Sequence, residues 1–132
     1  MKKILWFSMM VVGFVLTGFA AGMPQAAAIE GIHYDGYTYA LDAASGALKW
    51  KTLTGASSTA PLMDAARGRV YVASSNGKLT ALNITTGGVA WDYDSGAPIL
   101  TSPALSMDGQ TIFLGNEDIQ AVAVSAANGA EV

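Results

Sequence analysis

The chain has 132 residues, no cysteine and one histidine, with seven basic against ten acidic side chains. Without cysteine there is no disulfide framework, thiolate metal site or lipidated N-terminal Cys, so an exported product must hold together by packing alone. The few basic residues are scattered, which argues against nucleic-acid or anionic-membrane binding, since both need clustered Lys and Arg.

In chain order, Lys2-Lys3 precede an uncharged run from Ile4 to Met23, then Pro24 and Ala26-Ala27-Ala28. Positive, apolar and small-residue regions in that order predict a secretory signal peptide over 1–28. The run is also long enough to cross a bilayer as an uncleaved anchor, although Gly13, Gly18 and Gly22 weaken it as a permanent helix. Cleavage after Ala28 leaves residues 29–132, an acidic single domain with five basic and ten acidic side chains.

From Ile29 the texture changes to short strand-like segments separated by Gly, Asn and Asp. Residues 29–34 are weakly strand-like, Asp35-Gly36 signals a hairpin, and Tyr37–Leu41 is rich in β-formers. A turn at Ala43–Gly46 leads into a strand over Ala47–Leu53. An inner strand is expected near Ala60-Pro61-Leu62, followed by Val70–Ala73, an Asn76-Gly77 hairpin, Lys78–Asn83, a turn at Thr85–Gly88 and Val89–Tyr93. The next cycle runs through Leu100–Leu105, Asp108-Gly109, Thr111–Gly115 and Ile119–Ser125. There Asp118-Ile119 stands where Asn76-Gly77 stood, so that hairpin is expected to be less regular. No helix is predicted after residue 28.

These cycles are copies of one unit. Ala40, Asp42, Gly46 and Trp50 recur as Ala81, Asn83, Gly87 and Trp91, each 41 residues on. Ala123 and Gly129 begin a third copy that stops one residue before its Trp position, and Pro61 and Val70 recur 42 residues on as Pro103 and Ile112. A period near 41 with about four strands per unit is that of a propeller blade. Trp91-Asp92 spells the WD dipeptide, but no Gly-His pair lies upstream. The spacing of Ala, Asp or Asn, Gly and Trp instead resembles the tryptophan-docking motif of the pyrroloquinoline-quinone-like (PQQ-like) β-propeller repeats. The resemblance covers residues 34–132 and implies an all-β partial propeller of about two and a half four-stranded antiparallel blades. Rings typically close with 4–8 blades, so a fragment of a larger ring, or a truncated reading frame, is expected.

The motif has a physical rationale. A Trp after a Gly turn can pack between blades, burying about 150–250 Å², worth at most roughly 4–6 kcal/mol. The small Ala leaves room for the ring, Asp42 or Asn83 can accept N–H bonds from the following turn, and the glycine supplies positive φ. The resemblance implies docking roles for Trp50 and Trp91 only. Trp50, in the incomplete first blade, is expected to be the wetter ring.

Candidate chemistry is sparse. His33 has no nucleophile motif to accompany it. Asp92-Tyr93-Asp94-Ser95-Gly96 begins like a calcium loop but lacks the further ligands, and Glu117-Asp118 reads as a solvated loop tip. Asn83-Ile84-Thr85 fits a glycosylation pattern that matters only on a eukaryotic secretory route, and the repeat already claims Asn83. Quinoprotein dehydrogenases of the resembled family hold PQQ and calcium on the propeller axis with an Asp base and often a vicinal disulfide. None of these can be matched residue by residue here. No catalytic, cofactor or metal residue is assigned. The expectation is an exported, periplasmic or extracellular, non-enzymatic surface for a protein or peptide partner. Self-association through open blade edges and membrane attachment through an uncleaved leader remain open, as does a piece of a quinoprotein dehydrogenase whose site lies in other blades.

Export has a direct test. N-terminal sequencing of the secreted product should begin at Ile29, whereas an intact Met1 in the membrane fraction would identify an anchor.

Overall fold

The computed structural model describes residues 27–30 as backbone, and residues 35–57 and 59–132 in full. His33, most of the leader and the end of the first strand-like stretch lie outside the described residues. Ten strands follow in order: β1 (Ala27–Glu30), β2 (Tyr37–Asp42), β3 (Leu48–Leu53), β4 (Leu62–Asp64), β5 (Arg69–Ala73), β6 (Lys78–Asn83), β7 (Val89–Asp94), β8 (Ala104–Leu105), β9 (Thr111–Gly115) and β10 (Ala121–Ser125). They form three antiparallel sheets, β1-β2-β3, β4-β5-β6-β7 and β10-β9-β8. These are three successive blades of a partial β-propeller, and no helix occurs among the described residues.

Repeat and structure share one register. Trp50 lies opposite Ala40 and Trp91 opposite Ala81, and in both pairs a bulge follows at the next step of the ladder. A bulge adds a residue to one strand and increases local twist, and here it comes between the Trp and the turn before it. Alternation along β5 and β6 sends side chains to both faces, so the second blade is buried from either side. Val70, Val72 and Leu82 pack with Ala40 and Trp50 of the first blade. Tyr71, Ala73, Leu79 and Ala81 pack with Ile112, Leu114, Val122 and Val124 of the third.

Two expectations shift. The inner strands are short and begin after the prolines, at Leu62 and Ala104, because Pro61 and Pro103 cannot donate to a ladder. The hairpin between β9 and β10 is regular after all. Ala73 pairs with Leu79 and Gly115 with Ala121, the same register 42 residues apart. Ile119 N–H bonds Asn116 O at 3.2 Å, as Gly77 N–H bonds Ser74 O at 3.1 Å. The irregularity is confined to one backbone angle, φ 62° at Ile119.

A polar clasp joins the second and third blades. Asp64 is buried at the end of β4 and accepts Arg67 Nη1 at 3.0 Å and the Tyr71 hydroxyl at 3.2 Å. Arg67 Nη2 reaches across to Gln110 Oε1 at 3.0 Å. Arg69 Nη1 donates to Ala126 O and Ala127 O at 3.0 and 2.7 Å, and Tyr71 Oη to Ala126 O at 3.1 Å. Burial acts to raise the Asp64 pKa, but the Arg67 and Tyr71 bonds outweigh it and hold the carboxyl below its ordinary 3.8. A depressed carboxyl stabilises the fold above its unfolded pKa and loses that contribution as pH falls through the folded value. Stability should therefore drop below about pH 4, and the drop should be smaller in Asp64→Asn. At neutral pH, chemical denaturation of Asp64→Ala should show a loss of about 1–3 kcal/mol, from buried donors left without their shared acceptor.

Candidate functional site

The residues picked out by the repeat converge at the junctions between blades. At the first junction Trp50 is 8% exposed. Its indole Nε1–H donates to Ile84 O at 3.0 Å, and Thr52 Oγ1 donates to Gly87 O at 2.6 Å. The ring rests where a side chain on Gly87 would stand: a Cβ there would lie 2.6 Å from Trp50 Cδ2 and Cε3. Gly87 also has φ 71°, so conformation and space both require glycine.

The turn that receives the ring is built by its own polar residue. Asn83 Oδ1 accepts the N–H groups of Thr85 and Thr86 at 2.9 and 3.0 Å. Asp42 does the same for Ala44 and Ser45 at 3.1 and 2.9 Å. The Ser45 backbone N–H and hydroxyl and the Lys49 ammonium pull the Asp42 carboxyl down to about 2. In the third copy Ser125 takes this place, and its Oγ accepts Ala127 N–H at 3.3 Å.

The second junction repeats the first with one difference. Trp91 faces Gly129, where a Cβ would lie 2.5 Å from the ring, and Tyr71 packs on the indole at 5.6 Å between centroids. The carbonyl equivalent to Ile84 O is Ala126 O, already taken by Tyr71 and Arg69. Trp91 Nε1 is therefore buried with no acceptor. Trp91 is only half-buried as a residue, while Trp50 is buried. This reverses the expected order, because the wet ring is not the one in the shorter blade. Competition for one carbonyl, by residues more than 50 positions away in the chain, has no local signal.

The third socket, Gly46 with φ 71°, has nothing within 4 Å of a Cβ built there. Ala40 and Ala81 are buried beneath the rings, and Ala123 is partly exposed.

The other sequence candidates do not converge. Asp92 and Asp94 are exposed on β7, and Asp94 Oδ1 accepts Gly96 N–H at 3.0 Å. Glu117 and Asp118 lie exposed at the β9–β10 turn. Among the described residues no group of three or more His, Asp or Glu could hold a metal ion. The inner strands carry Leu62, Met63, Asp64, Ala104 and Leu105. The carboxylate on them, Asp64, is spent on the clasp. Such side chains do not fit a quinone-and-calcium site, which needs several oxygen ligands converging on the axis.

Three successive four-stranded-type blades, joined by indoles seated on glycine turns, define a segment of a tryptophan-docked β-propeller. The sequence matches over residues 13–132 the model of a family described as "Outer membrane protein assembly factor BamB". The chain belongs to this PQQ-like repeat family. It is similar in structure to BamB from Moraxella catarrhalis, with 28% identity and a TM-score of 0.71, over 82% of this chain and 33% of that one. It therefore spans about a third of that protein's length. Quinohemoprotein alcohol dehydrogenase ADHIIG from Pseudomonas putida HK5 matches at 22% identity and a TM-score of 0.60, over 80% of this chain and 18% of that one. The corresponding enzyme from Comamonas testosteroni matches at 17% and 0.64, over 81% and 19%. These two show the fold alone. A comparison with curated proteins finds no match.

The two junctions predict different responses to substitution. Trp50→Ala should cost about 3–5 kcal/mol in chemical denaturation. Trp50→Phe should cost about 1–2 kcal/mol more than Trp91→Phe, because only the Trp50 indole N–H has a partner to lose. Gly46→Ala should cost about 1 kcal/mol for positive φ alone, and Gly87→Ala clearly more, since its Cβ collides with the indole.

Proposed function

We propose that the chain acts as an exported, non-enzymatic binding or scaffolding surface for other proteins, placed in the periplasm or outside the cell. The observation that carries this reading is the match to the assembly-factor family over residues 13–132. It is supported by what the blades display. Their junctions are closed by buried rings and polar clasps, while Leu48, Leu53, Phe113 and Ile119 are exposed at edges and turns. Loops and edges on a rigid β frame are a usual setting for protein contact. Open strand edges also favour pairing between chains, so self-association is part of this proposal.

The proposed processing meets the fold at β1. Ala27 and Ala28 pair with Asp42 and Leu41, so cleavage after Ala28 would shorten β1 to Ile29–Glu30. The exported product would then hold its first blade chiefly through β2 and β3.

The dehydrogenase relatives share the fold at identities too low to carry an activity. The experiment pairs two assays on the full chain. Photo-crosslinking from exposed positions such as Leu53 and Phe113 in the native envelope should yield discrete protein adducts. Addition of PQQ and calcium should give no dye reduction with simple alcohols or sugars. Stoichiometric quinone binding with turnover would replace this reading with an enzymatic one, and an absence of specific adducts would sink it.

A further inference from the structure

Ile119 is where the backbone carries a strain that burial does not offset. Among the described residues it is the single non-glycine with positive φ, at 62°, and it is 97% exposed. Its counterparts in the other blades are glycines, Gly36 and Gly77, with φ 80° and 87°. A β-branched residue in this region is strained, and such outliers cluster at functional positions. Phe113 stands close by in the place Tyr71 holds in the second blade, and is 50% exposed where Tyr71 is fully buried. Ile119 and Phe113 border an open hollow with Thr101, Leu114 and Ala121, and no ionisable side chain lines it. Glu117 and Asp118 sit exposed at the adjoining tip.

The hollow follows the outer edge of β10, and the molecule shows twice what covers such an edge. β3 lies on β2 and β7 on β6, each a six-residue antiparallel strand. On β10 only residues 130–132 reach that side, through the Val124–Glu131 bridge and Val132 N–H to Ala123 O at 2.9 Å. Beyond them, Ala121 and Val122 border no strand on that side among the described residues.

In the first two blades the covering strand ends by crossing the turn glycine. Thr54 and Gly55 N–H donate to Gly36 O at 2.9 and 3.0 Å, and Ser95 N–H to Gly77 O at 2.9 Å. A Cβ on Gly77 would lie 3.0 Å from Ala97 O. Ile119 places a whole aliphatic side chain at that crossing. A strand covering β10 therefore meets an apolar contact at its C-terminal end, where the other blades present bare backbone.

We propose that this edge docks an extended segment of a partner protein by strand addition, with Ile119 and Phe113 gripping its apolar side chains. Main-chain bonds to β10 supply affinity, and alternate side chains supply selectivity. The neutral hollow accepts apolar residues, and the acidic Glu117-Asp118 tip selects a segment with Lys or Arg towards its C-terminal end. This inference rests on the proposed binding role and names the chemistry of one partner.

Two peptides taken from this chain serve as probes. Residues 46–55 carry Lys49 and Lys51, and residues 87–96 carry Asp92 and Asp94. Both are covering strands in the fold, and they differ in the sign of their charge. With the isotope-labelled full chain, the basic peptide should shift the amides of Ile119 and 121–123, and the acidic peptide should bind at least about tenfold more weakly. Ile119→Gly should raise the melting temperature and weaken the basic peptide by roughly tenfold, the loss of one partly buried aliphatic group. Equal binding of both peptides, shifts confined to other strands, or unchanged affinity in Ile119→Gly would overturn the proposal. Concentration-dependent shifts at these amides without peptide would assign the edge to a second copy and overturn it too. Specific protein adducts at other positions, with no peptide binding here, would leave the broader binding role standing.

Discussion

An indole can lie against a turn at this distance only if the turn has no Cβ there. That constraint ties together the residues that recur in this chain. Gly87 and Gly129 leave the space, Trp50 and Trp91 fill it, and Ala40 and Ala81 keep the opposite strand low enough for the ring to pass. Asn83 shapes its turn by accepting two N–H groups. Each element is local in sequence, but each serves a contact with a neighbouring unit. A blade is therefore not self-sufficient, and its stability belongs to the junctions on either side.

The two junctions solve the same problem with different chemistry. At the first, the indole N–H finds Ile84 O, and a threonine hydroxyl adds a second bond to the same turn. At the second, Arg69 and Tyr71 take the equivalent carbonyl, while Asp64 and Arg67 extend the clasp to Gln110. The clasp makes more polar bonds but strands one indole donor. A buried unsatisfied N–H costs about 1–3 kcal/mol, a cost the surrounding bonds must outweigh. The clasp also ties the second junction to the ionisation of one carboxylate, a dependence the first junction does not share through its indole and hydroxyl contacts.

Much of this was legible in the sequence because the unit repeats. Asp or Asn, Gly and Trp at fixed spacing gave the blade, its turns and its docking ring, and strand positions followed within a few residues. The inner strands were displaced because the prolines that mark them lie just outside them. The order of burial of Trp50 and Trp91 was not legible, since it depends on Arg69 and Tyr71 meeting Ala126 across a junction. Ile119 was legible as an exception but not in its consequence. The neighbouring hydrogen bonds keep the hairpin regular and leave the strain at one residue.

Function in such a fold has to be argued from whatever departs from the repeat, because the repeat itself is shared by assembly factors and dehydrogenases alike. On the inner strands the one carboxylate has been committed to structure, and its neighbours are aliphatic. Departure occurs instead at the turns and outer edges. A glycine common to two blades becomes an exposed isoleucine in the third, and a buried tyrosine becomes a half-exposed phenylalanine. Both changes add apolar surface at one edge without adding packing to the core. Neither is favoured by the stability of the blade, since the first strains the backbone and the second leaves an aromatic ring half in water. Apolar surface kept at such a cost on a rigid frame is the physical signature of a contact surface.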